Sequence, residues 1–203
     1  MAIEHIVFDI GRVLVHWDHH AAYLDALPDE ADRKRFFEEV DFPGWNLQQD
    51  AGRSWAEGEE VLAAQFPHRE ELIRLFRQNW HLTVPHAIGE SVAIMRSLIA
   101  RGYDVTLLTN WSADTYPIAQ ERYDFLAEPR GVTVSGQIRM VKPDPAIYAH
   151  HQKVFGLDPE RTVFIDDSAR NVEAAREAGW KAILFREPEE LRRDLRKLGV
   201  TVD

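Results

Sequence analysis

The chain is 203 residues long, enough for one domain of ordinary size or for a core carrying a small insertion, with ample apolar residues to bury. It has no cysteine, so disulfides, thiolate zinc sites and cysteine nucleophiles are excluded, and any metal has to be held by oxygen or imidazole. Lys and Arg number 24 against 34 Asp and Glu, a formal charge of −10 that argues against nucleic acid as a partner; no apolar stretch reaches the ~18 residues of a membrane span and no leader pattern opens the chain, so a cytoplasmic monomer or homodimer without membrane contact is expected.

Residues 3 to 8 form the first predicted strand, whose apolar run His5-Ile6-Val7-Phe8 delivers Asp9 to its C-terminal end. The next strand pattern does not come until Tyr103 to Leu108. Between them, 29–40, 56–65 and 69–80 carry apolar residues at helical spacing, such as Leu72, Leu75, Phe76 and Trp80, while Phe42-Pro43-Gly44 and Phe66-Pro67 suit turns between helices. This stretch reads as a helical insertion. From Pro85 onward the two patterns alternate: a helix over 87–100 stopped at Gly102, the 103–108 strand, a helix over 113–126, a strand over 131–134, a helix over 145–154, a strand over 161–165, a helix over 171–178 stopped by Gly179, a strand over 181–185 and a charged helix over 189–198. Such alternation predicts an α/β fold with a Rossmann-like parallel sheet covered by helices on both faces. There is no internal repeat.

Three predicted strands run into polar residues: Asp9 after the first, Thr109-Asn110 after the second, and Asp166-Asp167-Ser168 after the fourth. In a parallel sheet these ends share one edge, where open α/β folds bind ligands. Val141-Lys142-Pro143-Asp144-Pro145 lies just before a helix and adds a cation. Together the groups suit phosphoryl transfer, which needs a nucleophile, cations to spread the charge of the transferring oxygens, and donors to hold them. Asp9 is the candidate nucleophile, forming an aspartyl phosphate. Asp167, with Asp166, is the candidate holder of a hard cation such as Mg²⁺; Thr109 and Asn110 are candidate phosphate donors, and Lys142 a point charge.

Asp9 after an apolar strand, Leu107-Leu108-Thr109-Asn110, Val141-Lys142-Pro143 and Phe164-Ile165-Asp166-Asp167 resemble, in order and spacing, the four motifs of the haloacid dehalogenase-like hydrolases. The resemblance spans residue 5 to about 185 and is similar in appearance to the bacterial sugar-phosphate phosphatases of that superfamily, those acting on glucose 1-phosphate in particular, whose first motif also reads Asp, apolar, Gly. It implies a core of residues 1–15 and 86–203 with a helical cap at 16–85, and hydrolysis of a small phosphorylated metabolite through an aspartyl phosphate. It further implies Asp9 as nucleophile and Mg²⁺ ligand, the Gly11 carbonyl and Asp167 as further ligands, Asp166 in support, and Thr109, Asn110 and Lys142 on phosphate.

One position departs from that pattern. Most phosphatases of the family carry a second Asp two residues after the nucleophile as general acid and base, and here Gly11 stands there. General acid–base catalysis supplies about 10²- to 10⁴-fold, so three readings remain open. The leaving oxygen is acidic enough to need little protonation, as in a sugar 1-phosphate; or His16, Asp18, His19, His20 or a cap residue substitutes; or the chain is a slow enzyme or a phosphate-binding pseudoenzyme. A metal-free 2-haloacid dehalogenase is a further alternative, disfavoured because two adjacent carboxylates, Asp166 and Asp167, call for a cation. Trp45 and Trp55, with Gln48, Gln49 and Arg53, are either sugar contacts or packing between helices. Ser168 is expected to cap a helix and Asn171 to bond within the 166–171 turn.

Overall fold

A computed structural model describes residues 2–202. Five parallel strands, β1 (His5–Phe8), β2 (Asp104–Thr109), β3 (Val132–Val134), β4 (Thr162–Asp166) and β5 (Lys181–Leu184), pair in the order β3-β2-β1-β4-β5. β1 is therefore central, and the order reverses across it, which puts the crevice of the sheet beside its C-terminal end. Phe8 is in register with Leu107 on one side and Ile165 on the other. One residue further on, Asp9 is thus level with Leu108 and Asp166, and its amide donates to the Ile165 carbonyl at 2.8 Å.

Alternation along the strands separates two apolar layers. Ile6, Phe8, Val105, Leu107, Val163 and Ile165 face α6 (Gly89–Ala100) and α11 (Pro188–Lys197) through Met95, Leu98, Leu191 and Leu195. Val7, Leu108 and Phe164 face α9 (Pro145–Phe155) and α10 (Ala169–Glu177) through Ile147, Tyr148 and Ala175. Strands covered on both faces are near-continuous apolar runs, and these are.

Between β1 and β2 lie α1 (Glu30–Glu39), α2 (Phe42–Asp50), α3 (Trp55–Gln65), α4 (Glu70–Gln78) and the short α5 (Trp80–Thr83). Their interior is aromatic: Phe42, Trp45, Trp55 and Phe76 meet with ring centroids 4.8 to 6.1 Å apart. Aromatic rings supply the most buried area per residue, which suits a small helical unit. Asp29 and Ser54 start α1 and α3 by accepting from the amides of Ala31 and Glu57. Among the described residues no helix is long and apolar enough to cross a membrane.

Several expected elements are corrected. Phe42-Pro43-Gly44 is not a turn but the first turn of α2: Asp41 caps it from a left-handed backbone, φ 44°, and proline is tolerated where its missing N–H is not needed. The helix expected over 113–126 divides into α7 (Tyr116–Arg122), which carries Pro117 in its first turn, and a 3-10 turn over Asp124–Ala127. After β3 a short helix that the pattern did not announce, α8 (Ser135–Ile138), turns the chain under the insertion. Gly136 allows it, because a Cβ there would lie 2.5 Å from the Ala113 amide.

Candidate active site

The strand-end residues converge as the shared sheet edge requires. Lys142, 2% exposed, sits over the row formed by Asp9, Leu108 and Asp166, and its Nζ reaches all three: Asp9 Oδ1 at 3.0 Å, the Leu108 carbonyl at 3.0 Å and Asp166 Oδ2 at 2.6 Å. An ammonium has three donors, so this lysine is fully engaged. Its role in this arrangement is to neutralise buried carboxylates; a phosphate would have to draw one of those donors away.

Asp9 receives the Ile10 amide at 2.7 Å as well as Lys142, both on Oδ1. Burial lifts its carboxyl to about 7, with Lys142 opposing and the neighbouring Asp166 and Asp167 adding to the rise. Past Asp9 the chain folds into a tight loop in which the amides of Val13, Leu14 and Val15 go to the Ile10 carbonyl and that of Arg12 to Val15. The loop's bonds thus run to the carbonyls of Ile10 and Val15 rather than to that of Gly11. Arg12 takes a left-handed conformation, φ 58°, a strained state for a side chain of this kind and one that clusters at functional sites. Its guanidinium lies over the Trp17 ring, 5.0 Å from the centroid, and 3.9 Å from Asp167.

The two adjacent aspartates divide their work. Asp166 is completely buried and accepts from Lys142, from the Ser168 amide at 2.8 Å, and from the Asn171 amide group at 3.0 and 3.2 Å. It ties the 166–171 turn to Lys142, and Asn171 bonds within that turn as expected. Ser168 stands at the start of α10, but its side chain makes no capping bond; its backbone N–H is held by Asp166 instead. Asp167 is half-buried, opens to the cavity, and is raised by burial and by Asp166. One oxygen from each of Asp9, Asp166 and Asp167 can be chosen so that all three lie within 4.8 Å of one another, a hard-donor set of the kind that suits Mg²⁺. Because Asp166 is already so heavily bonded, Asp9 and Asp167 are the ligands open to a cation.

Thr109 and Asn110 part company. The Thr109 hydroxyl is buried without a hydrogen-bond partner, the condition of a donor awaiting a ligand. The Asn110 amide is instead turned onto the backbone of Lys142, accepting from its N–H at 2.8 Å and donating to its carbonyl at 2.9 Å. Asn110 therefore positions the lysine loop, a role the expected phosphate contact did not include.

Asp9, Asn110, Lys142 and Asp167 floor a cavity of about 260 Å³ walled by Trp17, Trp55, Trp80 and Trp111, with Thr109 and Asp166 buried behind it. The wall also carries Asn46, Asp50, Ser112 and Thr115, which the motifs did not single out. Trp55 is packed and lining at once, its indole N–H donating to Ser112 Oγ at 2.7 Å. Trp45 faces inward, bonded to the Gly58 carbonyl, and Gln49 and Arg53 bond to each other and to the Trp45 carbonyl. The histidines beside Trp17 are not part of the lining: His19 stacks on Phe42 and is pushed down to about 4 by burial, His16 lies against His86, and Asp18 caps the 3-10 turn over His19–Tyr23.

A buried carboxylate at the C-terminal end of the central strand, a lysine bound to it and an acidic pair beside it are set on an α/β fold with a parallel sheet. The chain belongs to the haloacid dehalogenase-like hydrolases, whose family profile matches residues 3–179. It is 27% identical to a phosphatase of Mycobacterium tuberculosis over all of this chain and 98% of that one. It is 31% identical to the bifunctional epoxide hydrolase 2 of Rattus norvegicus over 52% of this chain, and spans only 20% of that much longer protein. Among solved structures, a haloacid dehalogenase family enzyme of Bacteroides thetaiotaomicron superposes with a TM-score of 0.79 at 21% identity, covering 97% of this chain and all of that one. The same enzyme in complex with magnesium and inorganic phosphate superposes with a TM-score of 0.71 at 22% identity over 91% and 95% of the two chains. These structural likenesses speak to the fold.

Proposed function

We propose that the chain is a Mg²⁺-dependent phosphatase that hydrolyses a small phosphorylated metabolite of the sugar-phosphate kind through an aspartyl phosphate on Asp9, with residues 16–85 as its cap. The observation that carries this is the state of Asp9: buried beside Lys142, with both of its hydrogen bonds on one oxygen and an unpartnered threonine hydroxyl at the end of the neighbouring strand. Asp9 attacks phosphorus with its other oxygen, Thr109 donates to a phosphoryl oxygen, Lys142 keeps Asp9 oriented, and water then cleaves the acyl phosphate. Asp9, Asp167 and the Gly11 carbonyl would hold Mg²⁺, which supplies charge neutralisation for the phosphoryl oxygens. The tryptophan-walled cavity suits a sugar ring, whose C–H faces stack on indoles. The phosphatase among the full-length relatives, and a fold neighbour crystallised with magnesium and inorganic phosphate, lend the reading support.

The test is phosphate release from a panel of sugar phosphates with Mg²⁺. Asp9→Asn is expected to reduce it by at least about 10³-fold, and EDTA to abolish it. Chloride release from a 2-haloacid without metal, with no phosphate release from any ester, would overturn it.

A further inference from the structure

Gly11 leaves a gap in the chemistry that its own backbone does not explain. A Cβ built there meets nothing within 4 Å, and Gly11 is not among the glycines whose positive φ demands the absence of a side chain. The space beside Asp9 is simply open, and the proton has to come from elsewhere on the cavity surface. Three carboxylates line that cavity: Asp9, Asp167 and Asp50. The first is the nucleophile and the second belongs to the cation set. No histidine is among the lining residues, so the alternatives near Trp17 do not compete.

Asp50 is the last residue of α2, so it enters from the insertion, across the cavity from the sheet edge. Its position is fixed on both sides of the seam. Asn46, one turn earlier on α2, donates to its Oδ2 at 3.1 Å, and the backbone N–H of Ser112, from the loop after β2, also donates to the carboxyl. Its carbonyl accepts from the Ser135 hydroxyl at 2.6 Å, which moors the end of α2 to α8. Building on the phosphatase reading above, we propose that Asp50 is the proton donor to the leaving oxygen and then the base for the attacking water, the part that Gly11 cannot play.

The step balances. As the Asp9 oxygen bonds to phosphorus, the bridging P–O bond breaks, its electron pair stays on the leaving oxygen, and the proton of Asp50 passes to that oxygen. The Asp50 carboxylate then takes a proton from water as the water oxygen bonds to phosphorus, and the electron pair of the breaking P–O bond returns to Asp9. A group that serves both steps works best when it titrates near the working pH. Burial lifts Asp50 to about 7, with Lys142 and the Ser112 amide opposing, so both of its forms are at hand near neutrality.

The test is Asp50→Asn, an almost isosteric change, assayed with a hexose 6-phosphate and with p-nitrophenyl phosphate in Mg²⁺. Turnover of the hexose ester is expected to fall by about 10²- to 10⁴-fold. With p-nitrophenyl phosphate, whose leaving group needs no proton, the variant is expected to release one p-nitrophenolate per chain in a burst and then stall as the phosphoenzyme. The burst itself certifies that the variant is folded. Gly11→Asp in the Asp50→Asn background is expected to restore steady turnover, since its side chain enters open space. Hexose ester turnover within twofold of the unmodified chain, without a burst, would overturn the role of Asp50 while leaving the phosphatase reading intact. Failure of the unmodified chain to release phosphate from any ester would instead remove the reading on which that role stands.

Discussion

At the floor of the cavity, Asp9 and Asp166 from two strand ends and Lys142 from a loop are tied to one another, with Asp167 beside them, whereas the wall from α2, α3 and α5 is aromatic and carries a single carboxylate. The floor is positioned by register: once β1 pairs with β2 and β4, Asp9, Leu108 and Asp166 lie in a row that one ammonium can span. The wall is positioned by packed rings, which constrain volume more than they constrain angles. On the phosphatase reading, the chemistry would need the fixed atoms of the first, and selection of a leaving group the shape of the second.

If that contrast is right, the largest effect on stability belongs to the floor's hidden member. Asp166→Ala strips Lys142 of a buried partner and leaves the Ser168 amide and Asn171 unpaired, and is expected to cost about 3 to 5 kcal/mol in denaturant unfolding. Its neighbour is expected to behave oppositely. Asp167→Asn relieves a like-charge contact and should change stability by no more than about 0.5 kcal/mol, yet Mg²⁺ is expected to raise the melting temperature of the unmodified chain and not that of the variant.

A smaller and pH-dependent effect lies beneath the floor. His151 is fully buried, bonded to Thr106 of β2 at 2.9 Å and to Thr133 of β3 at 2.8 Å, and burial pushes it down to about 3. The unfolded chain binds this proton more readily, so the contribution is complete above the ordinary histidine value of about 6.5 and is lost as pH falls from there toward 3. In urea titrations, the stability difference between the unmodified chain and His151→Asn is expected to shrink across that window. The smallest change is on the wall. Trp55→Phe keeps the ring packing and loses the bond to Ser112, an expected cost of about 1 kcal/mol in unfolding with KM rising more than kcat falls.

The sheet and the floor were legible because β-branched and aromatic runs ending in Asp or Thr mark buried strands whose polar ends share an edge. Two features of the site were not. The bonds of Asn110 to the Lys142 backbone are one, because an amide after a strand has no partner in sequence and only the path of the 141–143 loop supplies it. Asp50 was hidden for the same reason, since the end of α2 acquires meaning only against Ser112 and α8. Phe42-Pro43-Gly44 has the residue types of a turn, yet in the fold it opens the helix that delivers Asp50.

The saturated lysine has a thermodynamic consequence. Lys142 is committed to Asp9, Asp166 and the Leu108 carbonyl, and Asp167 has the Arg12 guanidinium 3.9 Å away, so the cluster holds three carboxylates against two cations. On the phosphatase reading, phosphate and a divalent cation would be linked ligands: each would lower the electrostatic cost of the other, and by reciprocity the factor by which the cation tightened phosphate would be the factor by which phosphate tightened the cation. Lys142 holds the strand ends together, and on that reading the admission of anions would fall to the metal.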